Sequence, residues 1–500
     1  MSASIVARGV LGDFRRASSV YWSVAIFVVV WTLYHALAQA STIVDHDSAE
    51  AYAWGREFQL GYYKHPPFWA WITGVWFLIF PRSDWAFALL NTSNAAIGLL
   101  GVLRLNERFS DRHTAIVATL MLAFTPFYTI LNDRFGGNTI FLSLWPWTAY
   151  AFVASVNSRS IRSAALFGAL AALDMLSKYY AVLLLFVCFA ALPFHRDWKS
   201  YARSSAPWVA LLVFAVLVAP HVIWLFSNGF LPFRYFDKQS GKALSVSIGQ
   251  IMSLIGWCFG SLIPVLLIVS ALSRFAGRLN LRKRLQPEMA FLSIMTLAPF
   301  VLTVLFAFIF RVHISERTGV GVFCLVPLFL LQFVKLDSLD RSTKILRRGA
   351  LAFGVIAALV SPVLAYENMA KSVKSNRAEI LEPKIELAEE VTLIWNERTG
   401  HPLKYVTGPV PLAESVMFYS TDSPSELVDF NFALSPWVSE KSLRKSGLVI
   451  VCPADDSGCR VNAKRFSTPR TKIEVLSLRH VFAGIFGPYR SYAVSFVPPE

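Results

Sequence analysis

Long apolar runs, each near the length of a membrane-crossing helix, recur through the first 366 residues of the chain. A helix needs roughly 20 apolar residues to cross the hydrocarbon core, and hydrophobic residues make up 55% of the chain against 16% charged. This balance is typical of a membrane protein. The sequence therefore predicts a polytopic α-helical membrane protein with about 11 transmembrane helices. The predicted spans are Tyr21–Ala40, Trp85–Leu103, His113–Leu131, Thr139–Val156, Ser163–Ser177, Tyr179–Phe194, Pro207–Phe226, Ser247–Leu272, Met289–Phe310, Gly319–Val334 and Gly349–Tyr366.

The run Pro66–Phe80 is apolar but about 15 residues long, which is short for a crossing. If it does not cross, the loops on the side of the N-terminus contain 21 Lys and Arg residues, and the opposite loops before residue 367 contain 10. The more basic side of a membrane protein faces the cytoplasm. We therefore expect a cytoplasmic N-terminus and a juxtamembrane helix at Pro66–Phe80, with Trp69, Trp71 and Trp76 in the interfacial aromatic belt.

The formal net charge of +15 comes from Lys and Arg clusters between apolar runs. No continuous basic face is formed, so the charge indicates membrane topology rather than a nucleic-acid partner. The first apolar run is too long for a signal peptide and lacks a small-residue cleavage context, so we expect a retained helix. Five cysteines without a CxxC or Cys/His ladder give no metal or redox motif.

Apolar runs shorten after Tyr366, while charge and proline return. We expect a transmembrane domain at 1–366, with its first periplasmic loop at 41–84, followed by a periplasmic α/β domain at 367–500. Cys452 and Cys459 share an oxidising compartment and are candidates for a disulfide, although the sequence leaves the Cα geometry open. Periodicity predicts a helix at Lys384–Arg398 and strands at Leu403–Thr407, Leu448–Cys452 and Tyr492–Val497.

Ionisable residues collect at the outer ends of the spans, where desolvation makes each of them a candidate for function. The first outer loop contains DHDSAEAYAWGREFQLGYYKHPP, from Asp45 to Pro67, which combines close carboxylates with a Lys-His pair. Asp133 follows the third span, and Lys178 with Tyr179 lies in a tight turn between two short spans. Acids and bases from distant parts of the chain would share one depth, as a site for an anionic, partly lipidic substrate requires.

This set of residues indicates group transfer from a phosphate leaving group to a hydroxyl or amine. Asp47 is suited to deprotonate or orient the acceptor. Lys64, His65, Lys178 and an arginine are suited to neutralise the charge that develops on the departing phosphate. A lipid carrier for the donor would explain why the site lies at a membrane surface.

The stretch DSAEAYAWGREFQLGYYKHPPFWAW resembles the first outer loop of the family 39 glycosyltransferases and their aminoarabinose-transferase relatives, which are membrane enzymes of the GT-C class. The resemblance continues in LNDRFGGNTIFLSLWPWTAY, LDMLSKYYAVLLL and APHVIWLFSNGFLPFRYF, and covers about the first 330 residues. It implies a GT-C fold and a polyprenyl-phosphate-linked sugar donor, used on the non-cytoplasmic face.

The resemblance makes Asp47 the loop aspartate that activates the acceptor. Many relatives have Glu directly after this Asp, whereas this chain has Ser48, so Glu50 is the candidate second carboxylate. A divalent ion is an option, with Asp47 as its expected ligand if one binds. The expected donor-phosphate ligands are Lys64, His65, Lys178 and Arg317, and the expected substrate contacts are Tyr62, Asp133 and Tyr179.

Each assignment has a structural alternative. Asp47 could act only as the cap of a juxtamembrane helix, and Asp45 and His46 could be solvated loop residues. Lys64 could extend from the interface to water without contacting a ligand. Asp133 could pair with its neighbour Arg134 at the surface. These alternatives stay open at the level of sequence.

The sequence predicts an inner-membrane glycosyltransferase that moves a sugar from a polyprenyl-phosphate donor to a periplasmic glycolipid such as lipopolysaccharide. A protein O-mannosyltransferase-like enzyme would share the donor and differ in acceptor. The alternative that is not an enzyme is a lipid-linked sugar translocase. Such a transporter should show inverted repeats and charges near the middle of the membrane. The sequence shows no clear internal repeat, and among charges that otherwise favour one side only Asp174 lies inside a span.

Overall fold

A computed structural model describes residues 3–500 except 43, 276, 280–286, 316, 318–320 and 337. The chain forms two compact units. The first contains Met1–Tyr34, Lys64–Phe68 and Ala88–Ala358, and the second contains His35–Tyr63, Trp69–Phe87 and Leu359–Glu500. The stretch 41–84, the predicted first outer loop, therefore contributes to both units. The expected domain boundary between residues 366 and 367 stays a prediction.

Helices dominate the described chain. They are α1 (Ala3–Ala38), α2 (His46–Gly55), α3 (Phe68–Ile79), α4 (Asp84–Asn106), α5 (Arg112–Leu122), α6 (Phe141–Ser158), α7 (Ile161–Ser177), α8 (Val182–Ala191), α9 (Trp198–Ala202), α10 (Ala206–Ser227), α11 (Leu231–Gln239), α12 (Leu244–Phe275), α13 (Pro287–Phe310), α14 (Val326–Leu331), α15 (Leu339–Ser375), α16 (Ala378–Leu381), α17 (Lys384–Thr399), α18 (Val410–Tyr419), α19 (Glu440–Ser446) and α20 (Ser457–Lys464). The strands are β1 (Gly277–Leu279), β2 (Val334–Leu336), β3 (Tyr405–Gly408), β4 (Ser425–Val428), β5 (Leu448–Pro453), β6 (Lys472–Leu478), β7 (Val481–Phe482), β8 (Ile485–Phe486) and β9 (Arg490–Val497).

The predicted polytopic membrane architecture is confirmed. Within the described residues, six helices are long and apolar enough to cross a membrane, in α1, α4, α10, α12, α13 and α15. The shorter helices α6 and α7 pack against each other, and α7 also packs against α10. The expected total of about 11 crossings stays a prediction.

Three predicted spans are not continuous helices, and a proline lies beside one interruption in each of them. In His113–Leu131, α5 ends at Leu122, and a 3₁₀ turn begins at Pro126. Tyr179–Phe194 contains α8 between two 3₁₀ turns. In Gly319–Val334, whose first two residues lie outside the described part, the helix is only α14, with Pro327 in its first turn. Proline lacks an N–H and clashes with the preceding turn, so it suits the first turn of a helix. It does not always end a helix, because α6 and α10 continue through Pro146 and Pro220.

The predicted juxtamembrane run forms α3, which has 12 residues. A helix of this length spans about 18 Å, well short of the ~30 Å hydrocarbon core, so it cannot cross alone. Its place in the interface stays a prediction. Trp69 does not belong to an aromatic belt as expected, because it is 1% exposed and contacts Trp54 at a ring distance of 5.6 Å.

Two glycines allow α2 and α3 to meet backbone to backbone. A Cβ atom on Gly74 would lie 2.2 Å from the carbonyl oxygen of Gly55, and one on Gly55 would lie 2.3 Å from that of Ala70. Real side chains do not approach backbone atoms so closely. The absence of a side chain at both positions therefore sets the packing of α3 on α2.

The chain beyond α15 contains the predicted α/β region. The sheet has strand order β4-β3-β5-β9-β6, in which β3 runs parallel to β4 and β5 while β9 runs antiparallel to β5 and β6. The helix predicted at Lys384–Arg398 is α17, and the three predicted strands correspond to β3, β5 and β9. Cys452 of β5 and Cys459 of α20 form a disulfide with a Cα separation of 5.7 Å.

Candidate functional site

The carboxylates of the first outer loop lie on and beside α2, in the second unit. Asp45, and not Asp47, is the N-cap residue: its side chain accepts a hydrogen bond from the Asp47 backbone N–H at 3.0 Å. An acidic residue in the first turn, such as Asp47, also interacts favourably with the helix dipole. The alternative that Asp47 itself caps the helix is thus wrong.

His46 is not the solvated loop residue that the alternative predicted. Its Nδ1 lies 2.7 Å from a carboxylate oxygen of Glu414 on α18, a helix of the same unit that packs against α2. Glu50 follows His46 by one helical turn and is 4% exposed, and Glu414 is 1% exposed. His46, Glu50 and Glu414 form a group of metal-ligand type in the described residues, and Asp47 is not part of it.

Tyr62 is occupied by packing within the second unit. Its ring stacks on Trp54 with centroids 4.7 Å apart, and its hydroxyl donates to the Trp54 carbonyl at 2.5 Å and accepts from the Gln59 N–H at 3.2 Å. Burial raises the pKa of Tyr62 above its ordinary value, so the hydroxyl stays protonated. These contacts account for Tyr62 structurally, and its expected substrate role stays a prediction.

Lys64, His65 and Lys178 form a cationic group in the first unit, although more than 100 positions separate the pair from Lys178. Burial, then the charges of Lys178 and Lys64, hold the pKa of His65 well below its ordinary value of 6.5. The Nζ of Lys178 donates to the Asn138 side-chain oxygen at 2.5 Å. At neutral pH the group therefore offers two ammonium charges and an uncharged imidazole.

Aromatic rings from α11 flank this cationic group. Lys64 lies over the Tyr235 ring with its Nζ 5.9 Å from the centroid, within the range of a cation–π contact. Tyr179, the residue after Lys178, stacks on Phe233 at 4.9 Å, and its hydroxyl hydrogen-bonds the His221 Nε2 at 2.8 Å. The expected Lys-Tyr turn is thus braced by α10 and α11.

Asp133 and Arg317 form a two-point ion pair in the first unit, with distances of 2.5 and 3.2 Å between the guanidinium nitrogens and the two carboxylate oxygens. The neighbouring Arg134 comes only to 3.9 Å of the same carboxylate. The local pair proposed as an alternative is therefore the weaker contact. Asp133 orients the arginine that was expected to bind phosphate.

Sequence reasoning did not single out His221 or Glu414, and it noted Asn138 only among the polar residues that follow the third predicted span. Asn138 follows Asn132 by six positions, and its contact with Lys178 distinguishes it from the other polar residues there. His221 gave a signal, because a histidine within an otherwise apolar span is costly without a partner. Glu414 gave none, since its partner His46 is 368 positions away.

Comparison with known proteins identifies the same class of enzyme. The model of the dolichyl-phosphate-mannose-protein mannosyltransferase family matches residues 64–224. The lipopolysaccharide core galacturonosyltransferase RgtA of Rhizobium johnstonii is 23% identical over 483 residues, which cover 91% of this chain and 92% of that protein.

Two solved structures share the fold along nearly the whole chain. ArnT from Cupriavidus metallidurans, bound to undecaprenyl phosphate, superimposes with a TM-score of 0.61 at 14% identity, covering 95% of this chain and 98% of ArnT. Its apo state gives a TM-score of 0.59 at 14% identity, with 96% and 98% covered. The family match, the relative and the common fold agree with the four motifs read from the sequence: the chain is a membrane glycosyltransferase with a GT-C fold, and it is similar to the family 39 enzymes.

Proposed function

We propose that the chain transfers a sugar from a polyprenyl-phosphate donor to lipopolysaccharide or a related glycolipid at the outer face of a bacterial inner membrane. The observation that carries this proposal is that Lys64, His65 and Lys178 come together in the first unit, where burial and then the charges of Lys178 and Lys64 hold the pKa of the His65 imidazole low. Such a group suits a phosphate ester. The solved relative holds undecaprenyl phosphate, and the galacturonosyltransferase acts on a lipopolysaccharide core, so we expect a hexuronic acid as the transferred sugar.

In the proposed reaction an acceptor hydroxyl attacks the anomeric carbon of the sugar. The new C–O bond forms as the bond to the phosphate oxygen breaks, and the polyprenyl phosphate departs with the bonding electrons. Lys64 and Lys178 neutralise the charge that develops on the phosphate, and His65 donates a hydrogen bond as a neutral imidazole. Asp47 accepts the proton of the acceptor, with Glu50 as the second carboxylate.

We also propose that the N-terminus is cytoplasmic and that residues 367–500 are periplasmic. The basis is the excess of Lys and Arg in the loops on the N-terminal side. A cysteine introduced at exposed Ser467 or His401 should react with an impermeant maleimide in intact spheroplasts, whereas one introduced at exposed Ser160 should react only after permeabilisation.

The function is tested with the purified chain in lipid nanodiscs, undecaprenyl-phosphate galacturonic acid and a lipopolysaccharide core acceptor. We expect mass spectrometry to show an added hexuronic acid on the acceptor. Asp47→Asn should reduce kcat by about 10²–10⁴-fold, the usual contribution of a general base. Asp45→Asn is the matched control and should stay near wild type, because Asn also caps helices well.

Wild-type turnover in a folded Asp47→Asn variant would remove Asp47 from the chemistry. The family-model match to protein mannosyltransferases is the reason to include a Ser/Thr-containing peptide as a second acceptor. Transfer to the peptide and not to the glycolipid would replace our proposal with protein glycosylation.

A further inference from the structure

We propose that a cavity between α1, α4, α5 and α15 binds one anionic glycerophospholipid of the cytoplasmic leaflet. The cavity has a volume of about 440 Å³, which falls within the range of about 300–1,000 Å³ that is usual for ligand sites. Its lining residues all belong to the first unit, and Lys64, His65 and Lys178 are not among them. The site is therefore separate from the cationic group, and it does not depend on the proposed function.

The walls of the cavity are apolar and come largely from long helices. Three of its four helices, α1, α4 and α15, are long and apolar enough to cross a membrane. The apolar lining includes Phe27, Trp31, Leu99, Leu103, Ile116 and Leu120. An acyl chain is as apolar as these side chains, so it suits the interior of the cavity.

The basic end of the cavity lies at the starts of α5 and α15. Arg112 is the first residue of α5, and Lys344 and Arg347 lie within about three turns of the start of α15. These residues belong to clusters on the side of the N-terminus, and the proposed topology makes that side cytoplasmic. Further along α15, a Cβ on Gly354 would lie 2.8 Å from a methyl carbon of Val30, so α1 and α15 approach each other closely there. The cavity thus suits a ligand with its charged end at the cytoplasmic side and its apolar end in the membrane.

The cations at the basic end are exposed and favour an anion. Lys344 and Arg347 are three residues apart, a spacing that puts them on one face of α15. Within the described chain neither of them pairs with a carboxylate. Arg112 comes only to 3.8 Å of Glu107, which already accepts a hydrogen bond from Arg104 at 3.0 Å. The three cations are therefore available to a negatively charged headgroup.

The other polar groups of the lining agree with a phosphate diester. Asp340 is the only carboxylate among the described lining residues, and it lies 3.4 Å from the Nδ1 of His113. The hydroxyl of Thr343 is buried and has no hydrogen-bond partner among the residues that the structure describes. A phosphate diester offers one negative charge and several acceptor oxygens to such donors. Basic recesses between transmembrane helices on the cytoplasmic side bind anionic lipid headgroups in this way.

The test is native mass spectrometry of the full-length chain in detergent, without donor or acceptor. We expect one dioleoyl phosphatidylglycerol per chain to be retained, and dioleoyl phosphatidylcholine, which has the same acyl chains, to bind more weakly. The double variant Lys344→Gln/Arg347→Gln should lower the affinity for phosphatidylglycerol about tenfold or more, because two charged donors are lost. Arg341→Gln/Arg348→Gln is the matched control: it removes two exposed charges from the same turns of α15, outside the cavity lining, and should bind like the wild type.

A second pair of variants tests the apolar part without changing any charge. Leu100→Trp adds a large side chain to the cavity and should also weaken phosphatidylglycerol binding. Ile97→Trp makes a similar exchange at an exposed position of α4 outside the lining and should not.

Equal affinities for the two phospholipids would overturn the proposal, as would equal losses in the two double variants. Unchanged binding in Leu100→Trp would place the lipid outside the cavity. Titration with undecaprenyl phosphate and with inorganic phosphate completes the test. If Lys344→Gln/Arg347→Gln weakened the binding of either of these ligands and not that of phosphatidylglycerol, the site would belong to the donor or to a free anion.

Discussion

The guanidinium group of Arg317 donates hydrogen bonds to both carboxylate oxygens of Asp133, a residue 184 positions earlier in the chain. The planar fork of arginine matches a carboxylate in this way, and lysine does not reproduce the geometry. Both side chains are largely shielded from water, with 14% and 27% exposed. The orientation of the arginine thus depends on Asp133.

This pair predicts strong coupling between the two residues. Arg317→Lys and Asp133→Asn should each lower kcat/KM for the donor by about 10–100-fold, the equivalent of losing one charge-assisted hydrogen bond at roughly 1.5–3 kcal/mol. The double variant should be little worse than either single variant, because the interaction is already lost. Arg311→Lys, at an exposed arginine, is the control and should be unaffected. Additive losses would show that the residues act independently.

Charge removal at the cationic group should weaken donor binding. We expect Lys178→Gln and Lys64→Gln each to raise the dissociation constant for undecaprenyl phosphate about tenfold or more, since each loses a charged hydrogen-bond donor. Lys238→Gln removes an exposed lysine from α11 and should change nothing. The measurement is binding of undecaprenyl phosphate in nanodiscs without acceptor. Equal affinities for Lys178→Gln and Lys238→Gln would exclude Lys178 as a phosphate ligand.

The glycine contact between α2 and α3 should tolerate no side chain. Gly74→Ala would force a Cβ against the Gly55 carbonyl, so we expect a loss of about 1–3 kcal/mol in the free energy of unfolding. Gly256→Ala on α12 is the control, because a Cβ there meets no atom within 4 Å, and it should be neutral or slightly stabilising. Thermal unfolding followed by intrinsic fluorescence makes the comparison. Equal unfolding temperatures for the two variants would contradict the packing described.

The ion pair between His480 and Glu386 predicts a stability optimum on the acidic side of neutrality. The hydrogen bond with Glu386 raises the pKa of His480, although burial opposes this shift. Burial acts to raise the pKa of Glu386, but the hydrogen bond with His480 outweighs it, so this pKa is lowered. The contribution of His480 to the free energy of unfolding is complete below about pH 6.5 and is lost as the pH rises through the folded-state pKa of His480. The contribution of Glu386 to the free energy of unfolding is complete above about pH 4.3 and is lost as the pH falls through the folded-state pKa of Glu386.

Unfolding temperatures measured between pH 4 and 8 should therefore peak at roughly pH 4.5–6.5. His480→Gln should flatten the loss on the alkaline side, because the titrating partner is gone. His401→Gln replaces an exposed histidine of the same unit and should keep the wild-type profile. An unchanged profile in His480→Gln would mean that another group sets the alkaline limb.

Local patterns in the sequence predicted the helices and strands that depend on neighbouring residues. Apolar runs gave the long helices, and alternating or buried runs gave β3, β5 and β9 near their observed bounds. Pro126 and Pro193 lie at two of the interruptions, and proline disfavours a helix interior. Proline alone was not a sufficient signal, because α6 and α10 continue through one. The prediction gave more weight to apolar length than to these breaks.

Contacts between distant residues could not be predicted in this way. The pairs Arg317–Asp133 and His46–Glu414 join positions 184 and 368 apart, and a single chain carries no local trace of such pairing. The chemistry of the residues, supported by the family resemblance, supplied Lys64, His65 and Lys178 as a group before any geometry was available. It did not supply Asn138 or Glu414, which only the folded chain brings to their partners.

The second unit is assembled from three stretches, 35–63, 69–87 and 359–500. A recombinant enzyme that exchanges only residues 359–500 with a relative would therefore combine the C-terminal stretch of one protein with the α2 and α3 of another. Glu414 would lose its inherited His46, and the surfaces that bury Trp54 and Trp69 would no longer match. We expect functional hybrids only when all three stretches come from the same parent protein. The exchangeable part is therefore the whole second unit and not residues 359–500 alone.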